Sequence, residues 1–223
     1  EHLEALDRRE NERRAREAVS AGRPENPLRL HGTARVAEAC FTAGEGPPEA
    51  RLCARLVRAA EDPDQWLVLA LTALTRAEFV IGLAEDRELD RIVALPIEAD
   101  PDTEGSAGWS IEAVLFSLSH ETPDPARLRR AIAALGDIAA QAPESRRSGV
   151  LALLAWAWWM LGLATVSHRL VEQALALDAE HALAQMVGRL NSCAPPWQLR
   201  RVRDAAREEV RDRSIGESEG EAA

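Results

Sequence analysis

The side chains in this sequence that could do chemistry are few and scattered. Five histidines, His2, His31, His120, His168 and His181, show no HExxH and no paired metal-ligand spacing. His31 stands nine residues before Cys40, but a cysteine nucleophile needs a base beside it in space and a third group to orient that base. Nothing in the spacing supplies either. The carboxylates Glu98, Asp100, Asp102 and Glu104 alternate in "IEADPDTEGSAG" much as calcium ligands do, yet Pro101 interrupts them and no glycine or closing glutamate completes an EF-hand loop. A solvated acidic loop is expected there. There is no GxGxxG, P-loop or GxSxG, and "GEG" at 44–46 reads as a turn. No catalytic residue, metal site or cofactor is therefore expected.

Residues suited to recognition are easier to find. Trp66, Trp109 and Trp197 lie near predicted helix starts and turns, where an amphipathic ring can anchor a partner. Arg200 and Arg201 follow Trp197 and complete the candidate interaction set. The helix predicted over 198–213 sets six arginines against four carboxylates, too small an excess for a phosphate backbone. A net charge of -10 argues against nucleic acid for the chain as a whole. A protein partner, as yet unknown, is the class that remains.

The elements that would position these residues are all helical. No run of alternating β-branched residues occurs, and 46% hydrophobic content across 223 residues is enough for a real core. Residues 1–24 form a charged connecting helix with Glu-to-Arg pairs at i,i+4, such as Glu4 with Arg8 and Glu10 with Arg14, closed by "AGRPENP". Helices follow over 28–43 and 49–60, with Pro47 and Pro48 placed to start the second. One long apolar helix is predicted over "QWLVLALTALTRAEFVIGLAED", with Trp66, Leu67, Ala70, Leu71, Leu74, Ala77 and Val80 on its core side. Further helices are predicted over 108–121 and from Asp124-Pro125, a cap with a first-turn proline. Residues 25–213 make one all-α domain, and 214–223 a flexible acidic tail.

Every basic residue is arginine, and lysine and tyrosine are absent, which points to a GC-rich genome more than to a demand for guanidinium. Cys40, Cys53 and Cys193 are odd in number and far apart, so buried thiols in a reducing cytoplasm are expected instead of a disulfide framework. The chain opens on Glu1 with no signal segment, and an upstream region of a longer protein is expected.

"SGVLALLAWAWWMLGLATVS", residues 148–167, carries no charge over a length that could cross a bilayer. Its tryptophans sit at the centre, however, and not at the two ends where an aromatic belt lies. The stretch reads as a core helix turning at Gly162 into "TVSHRLVEQALALD", which packs antiparallel on it. Laid on the tetratricopeptide pattern, Ala155 takes the small position, Trp158 the large aromatic one, Gly162 the turn, and Ser167 and Ala174 the small positions of the second helix. The expected fold is all-α, a right-handed array of antiparallel helix pairs, tetratricopeptide-like in its C-terminal half.

These residues also resemble a family. Arg146 or Arg147, the run Leu153 to Trp156, Gly162, "ALALD" at 174–178, and Pro196 with Trp197 are similar to the C-terminal part of the actinobacterial DUF4192 family. The resemblance covers about residues 50–200. The family's Arg-Asp pair opening the middle helix is replaced here by Asp64-Gln65-Trp66. The resemblance implies an upstream region that this domain could contact, and it implies no activity, because the family's function is unassigned. The expected role is a helical protein-interaction or regulatory module, with the alternative of a scaffold or lid for an enzyme whose active site lies upstream.

Overall fold

A computed structural model describes residues 2–3, 5, 27–43, 47–85, 118–120, 122–202 and 204–205. Most of the charged leading segment, the acidic loop at 98–104, most of the helix predicted over 108–121 and the acidic tail lie outside the described residues. Among those described there is no strand, and the fold is all-α. Its elements are α1 (Pro27–Phe41), α2 (Ala50–Ala60), α3 (Pro63–Leu74), α4 (Ala77–Glu85), α5 (Pro125–Gln141), a 3-10 turn (Glu144–Arg146), α6 (Ser148–Met160), α7 (Ala164–Leu177) and α8 (Ala182–Leu190). Residues 196–202 are also helical.

The uncharged stretch is the central helix of the domain. Every residue of α6 is buried except Trp158, because α2, α3, α5, α7 and α8 all pack around it. A helix surrounded by apolar neighbours has no polar face to show, which is why its sequence lacks periodicity. Its 13 residues span about 20 Å, well short of a bilayer core. No described helix is long and apolar enough to cross a membrane.

Two glycines set how α6 joins its neighbours. At Gly149 the helix lies so close to α2 that a Cβ would fall 2.2 Å from the Ala60 carbonyl oxygen. At Gly162 the chain leaves α6 with φ +80, the left-handed region that glycine enters without cost. The Gly162 amide donates to the Trp159 carbonyl and the Leu163 amide to the Trp158 carbonyl, the paired bonds of a Schellman cap. The chain then reverses into α7. The Ser148 hydroxyl donates to the Ala174 carbonyl at 3.1 Å, so the start of α6 meets the end of α7 and the two are antiparallel, as the sequence implied.

The helix predicted to run unbroken from Gln65 is instead two helices, α3 and α4, parted at Thr75 and Arg76. Local threonine bonds and bonds from distant residues meet at the break. The Thr72 and Thr75 hydroxyls donate back to the Val68 and Leu71 carbonyls, an arrangement that bends helices. The Thr72 carbonyl accepts from Arg127 Nη2 at 2.6 Å, and the Ala77 amide donates to Glu38 Oε2 at 3.1 Å. Side chains from α1 and α5 thus satisfy the groups that a continuous helix would pair internally. α3 is also buried more widely than its predicted stripe: Val68, Leu69 and Ala73 are interior, while Leu74 is half-buried.

Other expectations are corrected in detail. Pro47 and Pro48 lie just ahead of α2 as expected, and the helix begins one residue later than expected, at Ala50. Trp158, cast as the large core aromatic, is only half-buried, and Trp156 and Trp159 fill the interior instead. Cys40 and Cys53 are buried thiols, but Cys193 is exposed on the turn after α8. Burial first and neighbouring Cys53 second push the Cys40 thiol up to about 12. Asp124 caps α5 as expected, its carboxylate accepting from the Ala126 and Arg127 amides.

Candidate functional site

The tryptophans chosen as anchors point inward. Trp66 is 3% exposed, and its indole donates to the Ala60 carbonyl at 2.8 Å, the same carbonyl that Gly149 faces. Trp197 is 9% exposed. Its indole donates to the Met160 carbonyl at 2.9 Å and its backbone amide to the Ser119 carbonyl. Each ring fastens a corner between helices, so neither is offered at the surface. Proximity to a helix start does not reveal which way a ring faces, and here hydrogen-bond demand at the helix ends turned both rings inward. Trp109 lies outside the described residues. Arg200 and Arg201 are exposed, and the Arg201 guanidinium sits 5.9 Å from the centre of the Trp197 ring.

Around that fastened corner the surface is apolar. Gly162 lies against the Gln198 side chain, which brings the α6–α7 turn to the helical residues 196–202. On either side of this contact stand Leu163 and Val166, and Leu199 and Val202, four of the six large apolar side chains exposed among the described residues. Leu163 and Leu199 are the chain neighbours of Gly162 and Gln198, so exposed aliphatic side chains stand at this corner. Leu199 and Val202 are spaced i,i+3 on one face of their helix, while Leu163 is the cap residue ahead of α7 and Val166 lies in its first turn.

A second feature, missed in the sequence, is a polar cleft of about 190 Å³ where the end of α2, the 3-10 turn, the start of α6, the end of α7 and the start of α8 converge. Glu61, Arg146, Ser148, Asp178 and His181 line it. Glu61 Oε2 accepts from Arg58 Nη1 and Arg146 Nη1, both at 2.9 Å. His181 caps α8: its Nδ1 accepts from the Ala184 amide at 3.4 Å, which leaves the proton of the neutral ring on Nε2. The imidazole lies against Trp66, ring centres 5.6 Å apart. Burial lowers its pKa below the ordinary 6.5, with Asp178 and Glu61 pulling the other way.

The cleft holds charge without assembling a nucleophile. The Ser148 proton goes to a backbone carbonyl, and the acceptor nitrogen of His181 is spent on a backbone amide. His31 and Cys40 lie on α1 nine residues apart, about 180° around the helix, so they face opposite ways. His168 is exposed beside Glu172. Among the described residues no group of three or more histidine, cysteine or carboxylate side chains could hold a metal ion. The one sequence signal for the cleft was His181 at the residue before an apolar helix, a place where a capping side chain is expected but usually a smaller one.

Comparison with known proteins adds nothing to this geometry: no family model, curated protein or solved structure matches the chain.

Proposed function

We propose that the chain is a helical protein-interaction or regulatory module that binds a protein partner at the corner formed by the α6–α7 turn and residues 196–202. The observation that carries this reading is the pairing of a rigid support with an exposed aliphatic surface. Gly162, Trp197 and Met160 fix the corner from inside, and Leu163, Val166, Leu199 and Val202 stand outside it with Arg200 and Arg201 alongside. Exposed apolar residues rimmed by charge on a preorganised scaffold suit a partner's amphipathic helix with acidic flanks.

In the same reading the α6–α7 hairpin is tetratricopeptide-like, the chain belongs with the DUF4192 proteins of actinobacteria, and it works in the cytoplasm. The residues quoted for the resemblance support the family, and three unpaired cysteines support a reducing compartment.

The test compares the wild-type chain with the Leu199→Glu, Val202→Glu double variant as immobilised bait in native actinobacterial lysate. A partner retained by the wild type and lost by the double variant supports the proposal. Equal capture by both baits, or no specific capture across several salt conditions, counts against it.

A further inference from the structure

α8 begins on a side chain whose hydrogen-bond sense can reverse. His181 is the N-cap, and its Nδ1 accepts from the Ala184 amide at 3.4 Å. The common caps, serine, threonine, asparagine and aspartate, remain acceptors through the mildly acidic range, whereas imidazole takes up a proton there. Protonated Nδ1 is a donor. It then sets an N–H against the Ala184 N–H, and the cap does not persist in that geometry. The cleft beside the ring offers a second position. Asp178, at the end of α7, and Glu61, after α2, both line it and both favour the charged imidazole, Asp178 the more strongly. The other charged groups there are Glu144 and Arg146 on the 3-10 turn, with Arg58 of α2 behind Glu61. Glu61 Oε2 already accepts from both arginines, whereas Asp178 takes the Glu180 amide on Oδ1. Trp66 backs the imidazole at 5.6 Å and is itself held by the Ala60 carbonyl, so the ring has a fixed wall to turn against.

We propose that His181 is a two-position, acid-operated latch: neutral, it caps α8, and protonated, it turns into the cleft toward Asp178 and frees the first turn of that helix. Burial of the ring places the change below the ordinary 6.5. Release is local. Leu183, Ala184 and Val187 are buried, and the Gln185 side chain ties the turn to the Ala179 carbonyl at 3.0 Å, so α8 keeps its seat while its first amides open. Mild acidification is thereby coupled to the join between α7 and α8.

Amide hydrogen exchange of Ala184 in the full chain tests the latch, read by NMR as a protection factor so that the intrinsic pH dependence of exchange cancels. Between pH 7.5 and pH 4.5 the wild-type Ala184 amide is expected to lose protection at least about fivefold, while the Ala155 amide in the middle of α6 changes less than about twofold. His181→Asn keeps an acceptor that does not titrate and holds Ala184 protection constant over the same range. Asp178→Asn removes the receiving carboxylate and moves the loss of protection to lower pH. Constant Ala184 protection in wild type, or an equal fall in His181→Asn, overturns the proposal. So does a parallel fall at Ala155, which marks loosening of the whole fold, and an unchanged midpoint in Asp178→Asn overturns the turn toward Asp178.

Discussion

Glu38 on α1 and Arg127 on α5, 89 residues apart, meet through two hydrogen bonds of 2.6 and 3.3 Å at the point where α3 gives way to α4. The pair divides the work of the break. Glu38 also accepts from the Ala77 amide that opens α4, while Arg127 donates to the Thr72 carbonyl near the end of α3. Two oppositely charged groups, largely withdrawn from water, are thus tied both to each other and to backbone groups that a helix end leaves orphaned.

Removing the cation is expected to cost more than neutralising the anion. Arg127→Ala leaves the Glu38 carboxylate and the Thr72 carbonyl without their partner, a loss of about 3 kcal/mol by the usual magnitude for breaking a buried pair. Glu38→Gln keeps an acceptor for the Ala77 amide and is expected to lose about 1 kcal/mol. Urea unfolding of both variants, compared at constant slope, checks the order. Equal losses would contradict this division of roles.

Three glycines separate the effect of close approach from that of helix propensity. Gly149→Ala drives a methyl into the Ala60 carbonyl and is expected to lose about 3 kcal/mol or more, because backbone on both sides must move. Gly162→Ala keeps the left-handed backbone with a Cβ against Gln198, for a loss of about 1–2 kcal/mol. Gly136→Ala on α5 meets nothing within 4 Å and is expected to gain about 0.5–1 kcal/mol. Thermal midpoints of the three variants should fall in that order, with Gly136→Ala above wild type.

The His181 cap makes stability pH-dependent with a definite sign. Its folded pKa lies below 6.5, so as the pH falls through 6.5 the unfolded chain takes up a proton that the folded chain still refuses. Stability is full above 6.5 and declines below it until the lowered folded value is passed. His181→Asn retains a capping side chain that does not titrate, and its urea midpoint should change less than that of wild type between pH 7.5 and the acid end of the window. Identical pH profiles would remove His181 as the cause.

The all-α class, the cap at Asp124 and the turn at Gly162 were legible because each depends on residues adjacent in sequence. What was not legible depends on distant ones. The split between α3 and α4 needs Glu38 and Arg127, and nothing within residues 63–85 announces it beyond two threonines that also suit a continuous helix. On α6 the sequence is apolar all round, so periodicity could not choose Trp156 and Trp159 over Trp158 as the buried rings. The cleft joins five chain segments through side chains that look like ordinary surface charges when taken one at a time.

A photo-crosslinking residue placed at Val202, in the full chain and in cells, bears most directly on the interaction corner. The expected result is one dominant adduct with another protein, abolished when Leu199→Glu is added, and absent when the same crosslinker stands at exposed Ala133 on α5. No adduct at 202, or the same adducts from 202 and 133, would contradict a binding surface at the α6–α7 turn.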